Sequence, residues 1–215
     1  MTFWQDRPVR KEQTDMAKRS FPVWVLLGIA LTSFVLLPQG AAAQQSGASA
    51  ANQHCVATLE PVRQGATRSK VAGFECYPSF SEAIFAATEG AVWLAPDEER
   101  STGLERLEQE LQRMDKSLAT KATFVIAIDF QNSNFQGASL TWTGTGACSA
   151  SLSFSASSMP SGWNDVVSST RGFSNCNHNK IFENNNFGGA QQTCTPNCSS
   201  LGAMNDKTSS RKWSV

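Results

Sequence analysis

The spacing of apolar residues changes character along the chain. Across residues 21–37 they run almost without interruption up to Pro38. Across 97–121 they retreat to every third or fourth position, Leu104, Leu107, Leu111, Met114 and Leu118, in a strongly charged background. That spacing predicts an amphipathic helix. From Thr123 the period shortens to two. Residues 123–130 are an apolar run, 139–143 alternate with Leu140 and Trp142 on one face, and 151–155 alternate again with Leu152 and Phe154. These stretches predict strands with one buried face. Ile181, Phe182, Phe187, Leu201 and Trp213 are the matching core candidates toward the end of the chain.

Between the first apolar run and the helix, residues 56–62 predict a strand. Ser79-Phe80-Ser81-Glu82 has capping-box spacing ahead of Ala83-Ile84-Phe85-Ala86-Ala87, with Gly90 placed to stop a short helix. This segment is too small for a large core of its own, so it is expected to pack on the domain that follows or on a partner. The helix over 97–121 has two readings, a seam for a second copy or a partner, or a face laid on its own protein or a linker. Two heptads are marginal for a coiled coil, which favours the second.

The strand-rich region contains one pattern twice. Phe130-Gln131-Asn132-Ser133-Asn134-Phe135-Gln136-Gly137 matches Phe182-Glu183-Asn184-Asn185-Asn186-Phe187-Gly188-Gly189 in its aromatics and final glycine. Each copy reads as two strands joined by an Asn-rich hairpin. Downstream, Trp163-Asn164-Asp165-Val166-Val167-Ser168-Ser169 is repeated as Met204-Asn205-Asp206-Lys207-Thr208-Ser209-Ser210. A periodic repeat of this kind decides the fold more firmly than local propensity. The connection from Gly137 to Asn164 is much longer than that from Gly189 to Asn205, which predicts an insertion within the Ser/Gly-rich residues 143–161.

A hairpin of this form followed by Asn-Asp-x-x-Ser-Ser resembles the Greek-key unit of the βγ-crystallin superfamily in its microbial calcium-binding form, related to crystallin-like bacterial metalloproteinase inhibitors. The resemblance covers roughly residues 123–215 and implies a mainly β fold. That fold is a two-Greek-key βγ-crystallin-like sandwich of two four-stranded sheets at the C-terminus, preceded by a small αβ segment and an amphipathic helix. It also implies two reciprocal calcium sites. Carried over residue by residue, Asp165 and Asp206 supply carboxylates, Ser168 and Ser209 hydroxyls, and Gln131, Glu183, Val166 and Lys207 main-chain carbonyls. Asn164 and Asn205 are expected to hold the turns.

Calcium suits such a set, since it takes six to eight oxygens at flexible geometry. Asn, Asp and Ser can also cap turns with no ion at all, but the doubled context favours metal. With one carboxylate per site the affinity is expected to be weak, roughly 10⁻⁵ to 10⁻³ M. Lys207 brings a positive charge near the second site.

Charge and cysteine narrow the setting. Eighteen basic residues balance eighteen acidic ones, so no basic field points to nucleic acid. Lys18 and Arg19, the run over 21–37 and Ala41-Ala42-Ala43 together predict a signal peptide over 1–43, with Met16 an alternative true start. An uncleaved membrane anchor is the competing reading of that run. A flexible leader follows over 44–53, then a disulfide-closed αβ segment over 54–96, the helix over 97–121 and the crystallin-like domain over 122–215. Export permits disulfides. All six cysteines lie beyond the cleavage signal. The simplest pairing is sequential, Cys55 with Cys76, Cys148 with Cys176 and Cys194 with Cys198, one of fifteen connectivities. Zinc at Cys194, Cys198 and His178 is the rival.

Catalysis finds little footing. The chain has two histidines, His54 and His178, and lacks G-x-S-x-G, H-E-x-x-H and P-loop sequences. The expected function is therefore a secreted, non-enzymatic, calcium-binding structural or binding protein, free of the membrane after signal cleavage. The alternative is a secreted proteinase inhibitor that presents residues 143–161 to an extracellular protease. A third reading gives the binding role to the N-terminal segment.

Overall fold

The computed structural model describes residues 53–116 and 123–215, all within the unit Gln45–Val215. The expected signal segment, nearly all of the leader and Leu118 lie outside the described residues. The elements run β1 (His54–Leu59), β2 (Val71–Tyr77), α1 (Phe80–Ala87), α2 (Arg100–Lys116), β3 (Phe124–Asn132), β4 (Gln136–Gly144), β5 (Phe154–Ala156), β6 (Ser169–Gly172), β7 (His178–Asn184), β8 (Gly188–Cys194) and β9 (Ser210–Ser214).

Alternation of apolar and polar residues makes two sheets that bury one face each against the other. The second has the order β5-β9-β7-β8. Its strand β5 belongs to the first repeat in sequence, yet it pairs with β9 of the second. The reverse exchange is reduced to a single bridge, in which Thr170 of β6 meets Cys198. Each repeat thus completes the sheet of the other, which makes the pair one folding unit. It also explains the longer first connection, because residues 143–161 hold β5, with Leu152 packed against the core.

The first sheet has five strands, in the order β2-β1-β4-β3-β6, where four were expected. The added strands come from the N-terminal segment. β1 pairs in parallel with β4, His54 opposite Ser139 through Thr58 opposite Thr143, and β2 closes antiparallel on β1. The free edge of β4 supplies unpaired backbone groups that must be bonded. The parallel sense is possible because β2, α1, α2 and β3 intervene between β1 and β4, with α1 and α2 forming the long crossover from β2 to β3.

Two apolar clusters sit on either side of the first sheet. Between the sheets lie Leu140, Trp142, Phe154, Trp163, Ile181 and Trp213, with the rings of Trp142 and Trp213 at 4.9 Å. On the outer face Val125, Ile128 and Phe130 meet Ala83, Ile84 and Ala87 of α1 and Leu104, Leu107 and Leu111 of α2. The leucine seam is therefore turned onto its own sheet. α2 begins at Arg100 rather than Asp97, because a turn comes first, with Glu98 N–H on the Ala95 carbonyl. Phe182 and Phe187 depart from expectation. They meet edge to face at 5.6 Å on the far side of the second sheet, as Phe130 and Phe135 do at 5.7 Å, and neither Phe182 nor Phe187 joins the inter-sheet core.

Local signals in the helix segment hold. Ser79 Oγ accepts from Glu82 N–H at 3.2 Å at the start of α1, and Gly90, at φ +84°, donates to the Phe85 carbonyl after its end. Disulfides join Cys55 to Cys76, Cys148 to Cys176 and Cys194 to Cys198. The Cys194 and Cys198 sulfurs are thereby withdrawn from zinc, and Cys55 from thiol chemistry.

His54, at the start of β1, shares a hydrogen bond between Nδ1 and Ser139 Oγ at 2.8 Å and meets the Phe80 ring edge-on. Burial, and behind it the charge of Arg100, pushes the imidazole down from 6.5 to about 4. The folded chain therefore refuses a proton that the unfolded chain accepts, and the neutral ring's contribution to stability is lost as pH falls through that window. Unfolding of the parent and of His54→Gln, followed against pH, should give a shallower loss in the variant between pH 6.5 and 4. Parallel curves would contradict this.

Candidate metal centre

Each hairpin is folded over by backbone that few residues adopt. Asn134 and Phe135 have φ of 58° and 63°, and Asn186 and Phe187 have 55° and 65°. Gly137 and Gly189 follow at φ +77° and +74°, where a Cβ would meet the Nδ2 of Asn132 or Asn184 at 2.8 Å. Glycine is required at both places.

The two Asn-Asp turns lie against each other across the pseudo-twofold relation of the repeats. Asp165 N–H donates to the Thr208 carbonyl at 3.1 Å, and Asp206 N–H to the Val167 carbonyl at 3.0 Å. Both aspartates sit at positive φ, 57° and 54°. Each carboxylate is held from two sides. Asn164 Nδ2 donates to Asp165 Oδ2 at 2.6 Å, and Asn205 Nδ2 to Asp206 Oδ2 at 2.7 Å, so each asparagine bonds the carboxylate of its own turn. The other oxygen reaches the opposite turn. Ser168 Oγ donates to Asp206 Oδ1 at 3.0 Å, and Ser209 Oγ to Asp165 Oδ1 at 3.3 Å.

The serines are fixed in turn by the hairpins. Ser168 N–H donates to the Phe130 carbonyl and Ser209 N–H to the Phe182 carbonyl, both at 2.9 Å. The result is a surface hollow of about 500 Å³ in which Gln131, Val166, Ser168 and Asp206 come together with Asn132 and Asp165. Around the second turn, Ser209 and Asp165 are brought together in the same way. Lys207 is exposed there, and the Glu183 side chain turns back to accept from Ala190 N–H at 3.1 Å.

The donor set fits a hard cation in kind. It is oxygen throughout, with one carboxylate, one hydroxyl and main-chain carbonyls on each side. Among the described residues no group of three or more His, Cys, Asp and Glu is placed to hold a metal ion, so an ion here would depend on hydroxyl and main-chain oxygens beside one carboxylate.

The closing serine of each motif has a role that the sequence did not disclose. Ser169 Oγ donates to the Asn132 carbonyl at 2.6 Å and accepts from Phe135 N–H at 3.0 Å. Ser210 repeats both bonds with Asn184 and Phe187 at the same lengths. These hydroxyls clamp the folded-over hairpins. The signal for it is the doubled Ser-Ser itself, whose second member recurs in both motifs.

No protein-family model and no curated protein matches the sequence. Among solved structures, the chain is similar to a βγ-crystallin from an archaeon, at 20% identity over 41% of this chain and 96% of that one, with a TM-score of 0.32. It is similar to a βγ-crystallin of Ciona intestinalis at 25% identity, over 40% and 96%, with a TM-score of 0.32. A βγ-crystallin domain from Clostridium beijerinckii gives 23% identity over 42% and 99%, with a TM-score of 0.32. The duplicated hairpins, the exchanged strand and the paired Asn-Asp turns give residues 123–215 a βγ-crystallin-like fold.

Proposed function

We propose that this chain is a secreted, calcium-stabilised structural or binding protein with no catalytic role, and that each Asn-Asp-x-x-Ser-Ser turn contributes to two calcium sites. The observation that carries this reading is the crosswise pairing of Ser168 with Asp206 and of Ser209 with Asp165. One site would draw on Asp206, Ser168 and the carbonyls of Gln131 and Val166. Asp165, Ser209 and the carbonyls of Glu183 and Lys207 would make the other. Bound calcium supplies positive charge where oxygen dipoles from both repeats converge. Because the unfolded chain lacks that convergence, binding adds about 1 to 3 kcal/mol to stability at calcium well above Kd. Three disulfides support an oxidising, extracellular setting. Residues 143–161 give no support to protease inhibition, since they supply β5 and a core-packed Leu152.

Calorimetric titration tests the crosswise assignment. Asp206→Ala and Ser168→Ala, singly or together, should remove one calcium equivalent and leave the other. Asp165→Ala combined with Asp206→Ala should remove both. If Asp165 and Ser168 instead prove to serve one site, the turns bind independently and the assignment is wrong.

A further inference from the structure

The duplicated fold presents the same outer strand face twice and finishes the two copies differently. In the first, Ile128 of β3 stands opposite Arg171 of β6. Ile128 lies beneath α2, and Arg171 is ion-paired to Glu108 of that helix. The matching positions in the second copy are both lysine, Lys180 of β7 directly opposite Lys212 of β9. Like charges placed opposite each other across strands are destabilising. Among the described residues neither lysine has a carboxylate within ion-pair distance. They lie over aromatic rings instead, Lys212 Nζ at 4.2 Å from the Phe187 centroid and Lys180 Nζ at 5.5 Å from that of Phe182. Such contacts hold an ammonium in place without neutralising it.

Beside this pair the connection from β1 to β2 builds a wall. Val62 N–H donates to the Ser153 carbonyl at 3.2 Å, Ser69 N–H to the Ser155 carbonyl at 3.3 Å, and Ser155 N–H to Ser69 Oγ at 3.0 Å. Between wall and sheet lies a groove of about 460 Å³, a size that suits a small organic ligand. Val62 and Ala66 of the wall give it apolar lining, Lys180 and Lys212 give it charge, and no Asp or Glu lines it. Phe154 and Trp213 border it only along their backbone, since their side chains are buried between the sheets.

The geometry points to a binding site for a small amphipathic anion, its apolar body against Val62 and Ala66 of the wall and its acid group between Lys180 and Lys212. The anion supplies the countercharge that Glu108 supplies in the first copy. This site is separate from the Asn-Asp turns and does not depend on calcium.

Backbone amide shifts of the disulfide-intact chain test it, with naphthalene-2-carboxylate as the probe. Saturable shifts are expected at the 62–69 connection and at Lys180 and Lys212. The uncharged 2-naphthalenemethanol, and inorganic sulfate with no apolar body, should each bind about tenfold more weakly. Lys180→Gln with Lys212→Gln should weaken the carboxylate by about tenfold or more, without loss of thermal stability, since it relieves the like-charge pair. Absence of saturation at millimolar probe, shifts confined to other surfaces, or equal binding by the double variant would each overturn the proposal.

Discussion

Replacing Arg211 with Met should lower the unfolding free energy by about 3–5 kcal/mol. Arg211 of β9 and Asp129 of β3 form an ion pair between the two sheets, and both side chains are 0% exposed. The pair is enclosed by polar partners. Asp129 Oδ2 accepts from Trp142 Nε1 at 2.7 Å, and Oδ1 accepts from Thr170 Oγ1 at 2.6 Å. Arg211 donates to Asn179 Oδ1, and Asn179 Nδ2 donates to Thr170 Oγ1 at 2.9 Å. Burial pulls the Arg211 guanidinium down from its ordinary value, and Asp129 opposes that pull. Removing the arginine leaves a carboxylate in the core without its counterion, the costly half of a buried pair. Urea unfolding of Arg211→Met and of the double variant Asp129→Leu with Arg211→Met separates the terms. The double variant should recover most of the loss, because two apolar residues carry no desolvation cost. Additive losses would show that shape, rather than charge, governs the site.

Leu104→Ala with Leu107→Ala should cost on the order of 4 kcal/mol or more. Both side chains are fully buried against the outer face of the first sheet, where Val125, Ile128 and Phe130 would face a void. The same unfolding measurement reads the effect, and the oligomeric state should be the same before and after. A small change in stability joined to the loss of a dimer would return the helix to its other reading, a seam between chains.

What the sequence disclosed follows the range of the physics. Turn chemistry is local, so the hairpins, the Ser79 cap and both Asn-Asp turns could be read from neighbouring residues. The repeat then doubled each weak signal. The crosswise pairing of Asp165 with Ser209 was accessible only through resemblance, since it joins residues 44 apart. The Asp129–Arg211 pair spans 82 positions, and Arg211, between Ser210 and Lys212, has the local look of an exposed strand residue. The parallel docking of β1 on β4 was hidden for a related reason. Nothing in residues 54–59 specifies the edge that receives them, because edge pairing is written in backbone groups that every residue carries. The apolar pattern does not separate Phe182 from the inter-sheet core, because an edge-to-face hairpin pair and a core pair leave the same apolar imprint.

The calcium claim meets its most direct test in thermal unfolding of the disulfide-intact chain, first in millimolar calcium and then in chelator, with magnesium as control. The account predicts a midpoint that rises with calcium, stays put with magnesium and loses its calcium response in Asp165→Ala with Asp206→Ala. A midpoint indifferent to calcium would contradict it and leave the two motifs as hydrogen-bonded turns alone.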